Sequence, residues 1–184
     1  MSKHQKDAHM ELWDLYDKNR KLTEHTMVRG DEMQPDTYHL VIHVAIFNSN
    51  NQMLIQKRRH DKIGAPNMWD ISAGGSVTAG ETSQAGAMRE TKEELGLDID
   101  LHNQLPHLSI TFARGYDDIY IVNREADINE LAVPNDEVSD ARWADIDEIF
   151  NMINEGTFIN YRQSLIQLLF DLRYQYGAVK TDYE

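Results

Sequence analysis

An α/β fold, a sheet covered on both faces by helices, is predicted by three features of the sequence. Thr37 to Phe47 (TYHLVIHVAIF) is nearly continuously apolar and rich in β-branched and aromatic residues, as a strand buried on both faces would be. Strand-like and helix-like segments are interspersed along the chain. Leu165, Leu168, Leu169, Leu172 and Tyr176 recur at helical spacing, so a last helix over Phe158 to Tyr176 should pack on the sheet. At 184 residues the chain fits one domain with a sizeable core, expected to span residues 1–184.

After a polar start expected to fray over residues 1–10, Glu11 to Arg29 places Trp13, Leu15 and Tyr16 before the turn-like Asp17-Lys18-Asn19 and Leu22 after it, which suggests a hairpin. Asn48 to Asn51 supplies a turn after the apolar strand, and Gln52 to Lys57 a returning strand. Lys57-Arg58-Arg59 and Lys62 lead into the breaker-rich loop Gly64-Ala65-Pro66-Asn67. Trp69 to Ala73 reads as one short strand delivering the chain to Gly74-Gly75. A helix from about Thr82 to Leu95 is stopped by Gly96. Leu108 to Ala113 and Ile119 to Val122 form an antiparallel pair around Arg114 to Asp117. Val138 to Trp143 is a strand, and Asp145 begins a short helix through Ile153.

Composition narrows the function classes. A formal net charge of −13 argues against nucleic-acid polymers, whose binding rests on phosphate neutralisation by Lys and Arg. A small anionic ligand fits if metal ions screen the site. Cysteine is absent, which removes disulfides, zinc–thiolate sites and thiol catalysis together. The start has no apolar signal region, and no apolar run approaches the roughly 20 residues that span a bilayer. No membrane partner is expected, and a soluble cytoplasmic protein is.

The chemistry is concentrated in Gly75 to Leu97 (GSVTAGETSQAGAMRETKEELGL). At about 100° per residue, Glu93 and Glu94 lie within about 60° of Glu90, so three carboxylates share one helix face. Local rules oppose this: the like-charge pairs at i,i+3 and i,i+4 each cost roughly 0.2–0.5 kcal/mol, and Glu93 and Glu94 sit at the negative end of the helix dipole. A helix that breaks these rules points to a bound cation. Carboxylates without a His/Cys cluster suit hard Mg²⁺, and Mn²⁺ accepts the same ligands.

The stretch satisfies G-x5-E-x7-R-E-U-x-E-E-x-G-U, where U is a bulky aliphatic residue, through Gly75, Glu81, Arg89, Glu90, Glu93, Glu94, Gly96 and Leu97. Thr91, in the first U position, is the one departure and tests helix packing more than chemistry. This resembles the Nudix box, whose family hydrolyses nucleoside diphosphates linked to another moiety, and related diphosphates. The resemblance implies a Nudix-type α/β/α sandwich with a mixed central sheet. It also implies a small-molecule diphosphate substrate, with Glu90, Glu93, Glu94 and a backbone carbonyl near Gly75 holding the metal. Divalent metal would screen the phosphate charge and activate water.

Other roles follow from the same resemblance or stay open. Arg89 orients a glutamate. Glu81, at the helix start, either caps free N–H groups or serves the metal side. The base that activates water is Glu94 inside the box, or Glu137, placed like the acidic residue before the final Trp-containing strand of many Nudix proteins. Lys57, Arg58, Arg59 and Lys62 form a dense basic run that reads equally as a diphosphate clamp and as a solvated loop. Dimers are common in the family, which makes a second copy of the chain a candidate partner.

WDLYDKNRKL, YHLVIHVAIFN, the QKRR run and GAPNMWDISAGG resemble the branch containing isopentenyl diphosphate isomerase, over roughly residues 11 to 150. That branch carries a cysteine acid/base and a metal-ligand histidine where this chain has Gly74 and Ser76. Gly74 cannot move a proton, so hydrolysis is favoured over isomerisation. His39 matches a metal-binding histidine of the isomerases, although a lone His in an apolar strand is more often a hydrogen-bonded core residue, and His43 shares that reading. A non-catalytic ligand sensor is disfavoured because no box carboxylate is lost.

Overall fold

In the computed structural model residues 11–179 are described, and the start expected to fray lies outside them. β1 (Leu12–Tyr16) and β2 (Leu22–Val28) form the expected hairpin. At its turn Asp17 Oδ1 accepts the N–H groups of Asn19 and Lys21 at 2.9 and 2.8 Å, the local bonding that makes Asp a turn residue. β3 (His39–Phe47) and β4 (Met53–Arg58) follow, joined by a turn in which Asn48 Oδ1 accepts from Asn50 and Gln52.

Trp69 to Ala73 is not one strand. β5 (Trp69–Asp70) pairs with β4, whereas β6 (Ala73–Ser76) pairs with β3, and the chain crosses between them at Ile71-Ser72. Among the described residues β3 and β4 pair in register only at Phe47 and Met53 and then splay apart, so the sheet opens as a fork. Ser72, fully buried, closes its base by accepting from Ile46 N–H at 2.8 Å and donating to the Leu54 carbonyl at 2.5 Å.

α1 (Ser83–Leu95) is followed by β7 (Leu108–Phe112) and β8 (Gly115–Asn123). β8 starts earlier than its apolar run suggests because it pairs in parallel with all of β3, from His39–Gly115 to Phe47–Asn123. β9 (Val138–Ala144) lies antiparallel to β4, and α2 (Ile146–Glu155) and α3 (Gln163–Leu172) are the last helices among the described residues. α3 is shorter than the expected Phe158 to Tyr176. Its supposed first turn is extended, with Trp69 N–H donating to the Thr157 carbonyl at 2.9 Å and Ile159 N–H to the Trp69 carbonyl at 2.8 Å.

Side-chain alternation along β3 sets the layers. Leu40, Ile42, Val44 and Ile46 pack with Ala87 and Leu95 of α1. Ala45 and Phe47 pack with Ile149 of α2 and Ile166, Leu169 and Phe170 of α3. The result is the α/β/α arrangement around a mixed sheet. The N-terminal hairpin braces the approach to α1, where Ala79 N–H donates to the Leu12 carbonyl and Gly80 N–H to Asp14 Oδ2, each at 2.7 Å. Among the described residues no helix is long and apolar enough to cross a membrane.

Candidate active site

Thr82 caps α1, its Oγ1 accepting from Ala85 N–H at 3.2 Å, and Gly96 ends the helix in the left-handed region at φ 75°. The capping reading of Glu81 is therefore corrected: a hydroxyl one residue later already fills that position, and Glu81 turns back instead. Its Oε2 accepts from Thr78 N–H at 3.0 Å, and both oxygens receive Arg89, at 2.9 and 3.0 Å. Thr91 is fully buried, and its hydroxyl satisfies itself on the Ala87 carbonyl at 2.8 Å. The departure from the motif is thus a packing matter.

Arg89 is the hub of the exposed side of the site. Besides Glu81 it reaches Glu90 Oε1 at 2.8 Å, Glu93 Oε2 at 3.0 Å and the Ser76 carbonyl at 3.1 Å. The i,i+4 pairing order understates it, because most of its partners lie outside that pairing. The bidentate Glu81–Arg89 bond fastens the helix to the loop before it. These acids hold the Arg89 guanidinium above its ordinary pKa despite burial.

Glu94 points the other way, onto the glycine strand β6, and Glu90 lies between Arg89 and that strand. Glu94 is buried, and its Oε2 accepts from Gly74 N–H at 3.0 Å and Gln56 Nε2 at 3.2 Å. A Cβ on Gly75 would lie 2.3 Å from Glu90 Oε1, so only glycine lets that carboxylate rest against the strand. Burial pushes the Glu90 carboxyl up to about 7, Arg89 beside it offsets this only in part, and the charges of Glu93 and Glu137 add to the rise. Burial likewise raises Glu94 well above the usual range, with the charges of Glu90, Asp70 and Glu137 adding to it. Two buried carboxylates that resist ionising alone form a site suited to a cation.

Glu93 is separated from this pair. Its side chain is 54% exposed and drawn to Arg89, and among the described residues no three His, Cys, Asp or Glu side chains converge in a group that could hold a metal ion. The shared helix face therefore does not translate into three converging carboxylates. Two carboxylates still fit Mg²⁺, which keeps several waters and is usually bound through one or two carboxylates plus substrate phosphates.

Beyond the helix, Glu137 lies near enough for its charge to act on Glu90 and Glu94, whereas the basic run and His39 are engaged by partners of their own. Asn135 donates to the Glu94 carbonyl at 2.9 Å and the Glu93 carbonyl at 3.3 Å, and its Oδ1 accepts from Glu137 N–H at 2.8 Å. It thus offsets the negative end of α1 and ties the Glu137 loop to it. Glu137 itself accepts from Lys62 Nζ at 2.6 Å. Arg59 pairs with Asp61, Arg58 bonds the Gly64 carbonyl and approaches Asp70, and Lys57 lies over the Trp69 ring. Each member of the basic run has an internal partner. His39 stacks on Trp13 with ring centroids 4.4 Å apart and meets the edge of Phe112.

A second polar chain occupies the other face of β6. Asp117 holds His43 Nδ1 at 2.8 Å, His43 Nε2 meets Tyr161 Oη at 3.2 Å, and Tyr161 donates to Asp70 at 2.8 Å, with Arg58 3.7 Å beyond. Burial lowers the His43 pKa, but the Asp117 carboxylate outweighs it and the net shift is upward. The chain bridges the fork from β8 and β3 to β4 and β5. Gly74 is enclosed by it, since a Cβ there would lie 2.5 Å from His43 Cδ2. Sequence reasoning misses Gln56, Asp70, Asp117 and Tyr161. A lone amide in the apolar MLIQKR is the available hint for Gln56, whereas only the topology brings Tyr161 here.

Residues 37–167 match the model of the NUDIX domain. The uncharacterized Nudix hydrolase lin0387 of Listeria innocua is 43% identical over 89% of this chain and 96% of its own length. Isopentenyl-diphosphate Delta-isomerase 2 of Photorhabdus laumondii is 28% identical over 70% of this chain and 74% of its own. The crystal structure of DR0079 from Deinococcus radiodurans is similar in fold, with a TM-score of 0.69 at 24% identity over 90% of this chain and all of that one. With the domain model covering the sheet and box helix, and a Nudix hydrolase matched over nearly its full length, the chain belongs to the Nudix hydrolase family.

Proposed function

We propose that this chain is a pyrophosphohydrolase that uses Mg²⁺, or Mn²⁺ in its place, to cleave a diphosphate bond in a small molecule of the nucleoside diphosphate-linked class. The observation that carries the reading is the pair of buried carboxylates, Glu90 and Glu94, set against the glycine backbone of β6. Glu90, Glu94 and the Gly75 carbonyl would hold the cation. When bound, the metal screens the phosphate oxygens and lowers the pKa of water. Arg89 keeps Glu90 oriented and draws Glu93 toward the rim. In the reaction a water oxygen bonds to phosphorus as the bridging P–O bond breaks, the bridging oxygen leaves with the bonding electron pair on the departing phosphate, and the water proton passes to a carboxylate. Glu94 is assigned that role, with Glu137 as the carboxylate outside the helix.

Isomerisation is not supported. Gly74 carries no proton donor, and a side chain there would collide with a His43 ring held between Asp117 and Tyr161. The test incubates the protein with Mg²⁺ and a panel of nucleotide sugars, dinucleotides, nucleoside di- and triphosphates and isopentenyl diphosphate, followed by phosphorus NMR. Hydrolysis of at least one diphosphate is expected, and ¹⁸O-water identifies the phosphorus attacked. No hydrolysis across the panel counts against the enzyme, and double-bond migration would restore the isomerase.

A further inference from the structure

The amide of Gln56 is half-used at the most buried point of the site. Gln56, only 1% exposed, projects from β4 and donates through Nε2 to Glu94 Oε2 at 3.2 Å. Its Oε1 is buried and has no hydrogen-bond partner among the described residues. The amide is not reversed, since Glu94 Oε2 already accepts from Gly74 N–H and so presents an acceptor to the amide nitrogen. Nor does a neighbour supply the missing donor. Asp70, beside Gln56 in the sheet register, accepts from Tyr161 Oη and Ile71 N–H. The nearby cations are committed elsewhere: Arg58 to the Gly64 carbonyl, Lys62 to Glu137, and Arg89 to its glutamates.

Buried acceptors are seldom left unpaired, and those that are ask for a water, an ion or a ligand. Here the orphan belongs to the same amide that grips a carboxylate assigned to the cation. A hydrated divalent cation beside Glu94 would bring O–H donors to this corner of the fork, since Mg²⁺ and Mn²⁺ favour oxygen surroundings and Mg²⁺ retains waters.

We infer that Gln56 is a further residue of the cation site: its Oε1 accepts a hydrogen bond from a water in the cation's shell while its Nε2 orients Glu94. The inference rests on the cation reading of Glu90 and Glu94. It differs from a purely structural role in one measurable respect. A core amide would matter to the metal-free fold and not to the ion, whereas an outer-shell partner tunes metal affinity, typically by about 10–100-fold.

The experiment titrates the full chain with Mn²⁺ in the absence of substrate, reading free Mn²⁺ by electron paramagnetic resonance, alongside thermal melts of the metal-free protein. Gln56→Met, similar in volume but without the amide, is expected to bind Mn²⁺ at least about tenfold more weakly than wild type while melting no lower. Gln56→Glu, which keeps an oxygen in place, is expected to stay within about threefold of wild type or bind more tightly. Gln56→Leu replaces the Met variant if circular dichroism shows that one unfolded. Binding by Gln56→Met within twofold of wild type would overturn the role of Gln56 and leave the cation site standing. A wild type that binds no Mn²⁺ removes the cation reading and this inference together.

Discussion

The two faces of β6 bury charge in opposite ways. On one, Asp117, His43, Tyr161, Asp70 and Arg58 form a chain in which every link is hydrogen-bonded or ion-paired and acids are matched by bases. On the other, Glu90 and Glu94 are buried with an excess of negative charge and an unpaired amide oxygen beside them. Both span the fork between β3 and β4, so both contribute to its geometry. A closed network stabilises and specifies a fold, whereas an unbalanced one costs stability and marks the place where a ligand completes the structure.

That contrast can be broken by experiment. Glu94→Gln should leave the fold intact and lower turnover on any hydrolysed substrate by about 10²–10⁴-fold, as loss of a general base or metal ligand does. Turnover within threefold of wild type, measured at saturating Mg²⁺, would mean that the open face is not the catalytic one. Tyr161→Phe removes the hydroxyl joining His43 to Asp70 and should destabilise the protein by about 1–3 kcal/mol in urea denaturation, with Mn²⁺ affinity unchanged. A large shift in Mn²⁺ affinity would show that the closed face also serves the ion.

The pH dependence of stability sharpens the comparison further. Because Glu90 has its carboxyl raised from 4.5 to about 7, the folded protein binds more protons than the unfolded chain between those values. Its contribution therefore favours folding below about pH 4.5 and is lost as pH rises through about 7. Metal-free Glu90→Gln should accordingly be more stable than wild type at pH 8, by on the order of 1–3 kcal/mol, with the difference closing near pH 4. Equal stability of the two at pH 8 would show that the buried carboxylate carries no penalty. The smallest expected effect lies outside both faces: Thr82→Ala should cost about 0.5–2 kcal/mol through loss of the α1 cap. Glu81→Gln, by contrast, should leave the cap intact and act through Arg89, a distinction that amide hydrogen exchange at Ala85 can read.

Much of this organisation is legible in the order of the residues. The Glu-rich end of α1 names its own chemistry because like charges at i,i+3 and i,i+4 are unfavourable unless something binds them. The apolar run of β3 announces a strand covered on both sides, and the layers on it are as expected. Spacing overstates the length of α3, because Phe158 stands at a helical interval from Leu165, yet Thr157 and Ile159 on either side of it hydrogen-bond the Trp69 backbone. Glu81 falls between two roles because its neighbour Thr82 competes for the cap, and helix start signals leave one residue of slack. The basic run stays ambiguous since charge patterning does not reveal Asp61, Glu137 and Trp69 as its partners.

By itself the sequence determined the family, the layer order and the identity of the acidic helix, because each is written in local periodicity and fixed spacing. Tertiary structure alone decided which carboxylates face inward. Glu90, Glu93 and Glu94 are near-equivalent on a helical wheel, but β6 offers glycine backbone to the first and last, and Arg89 takes the second. It also decided that Gln56 reaches Glu94 and that Tyr161 reaches Asp70, pairs far apart along the chain. Such meetings depend on where β3 and β4 part, and that splay is a property of the assembled sheet, which no local run of residues encodes.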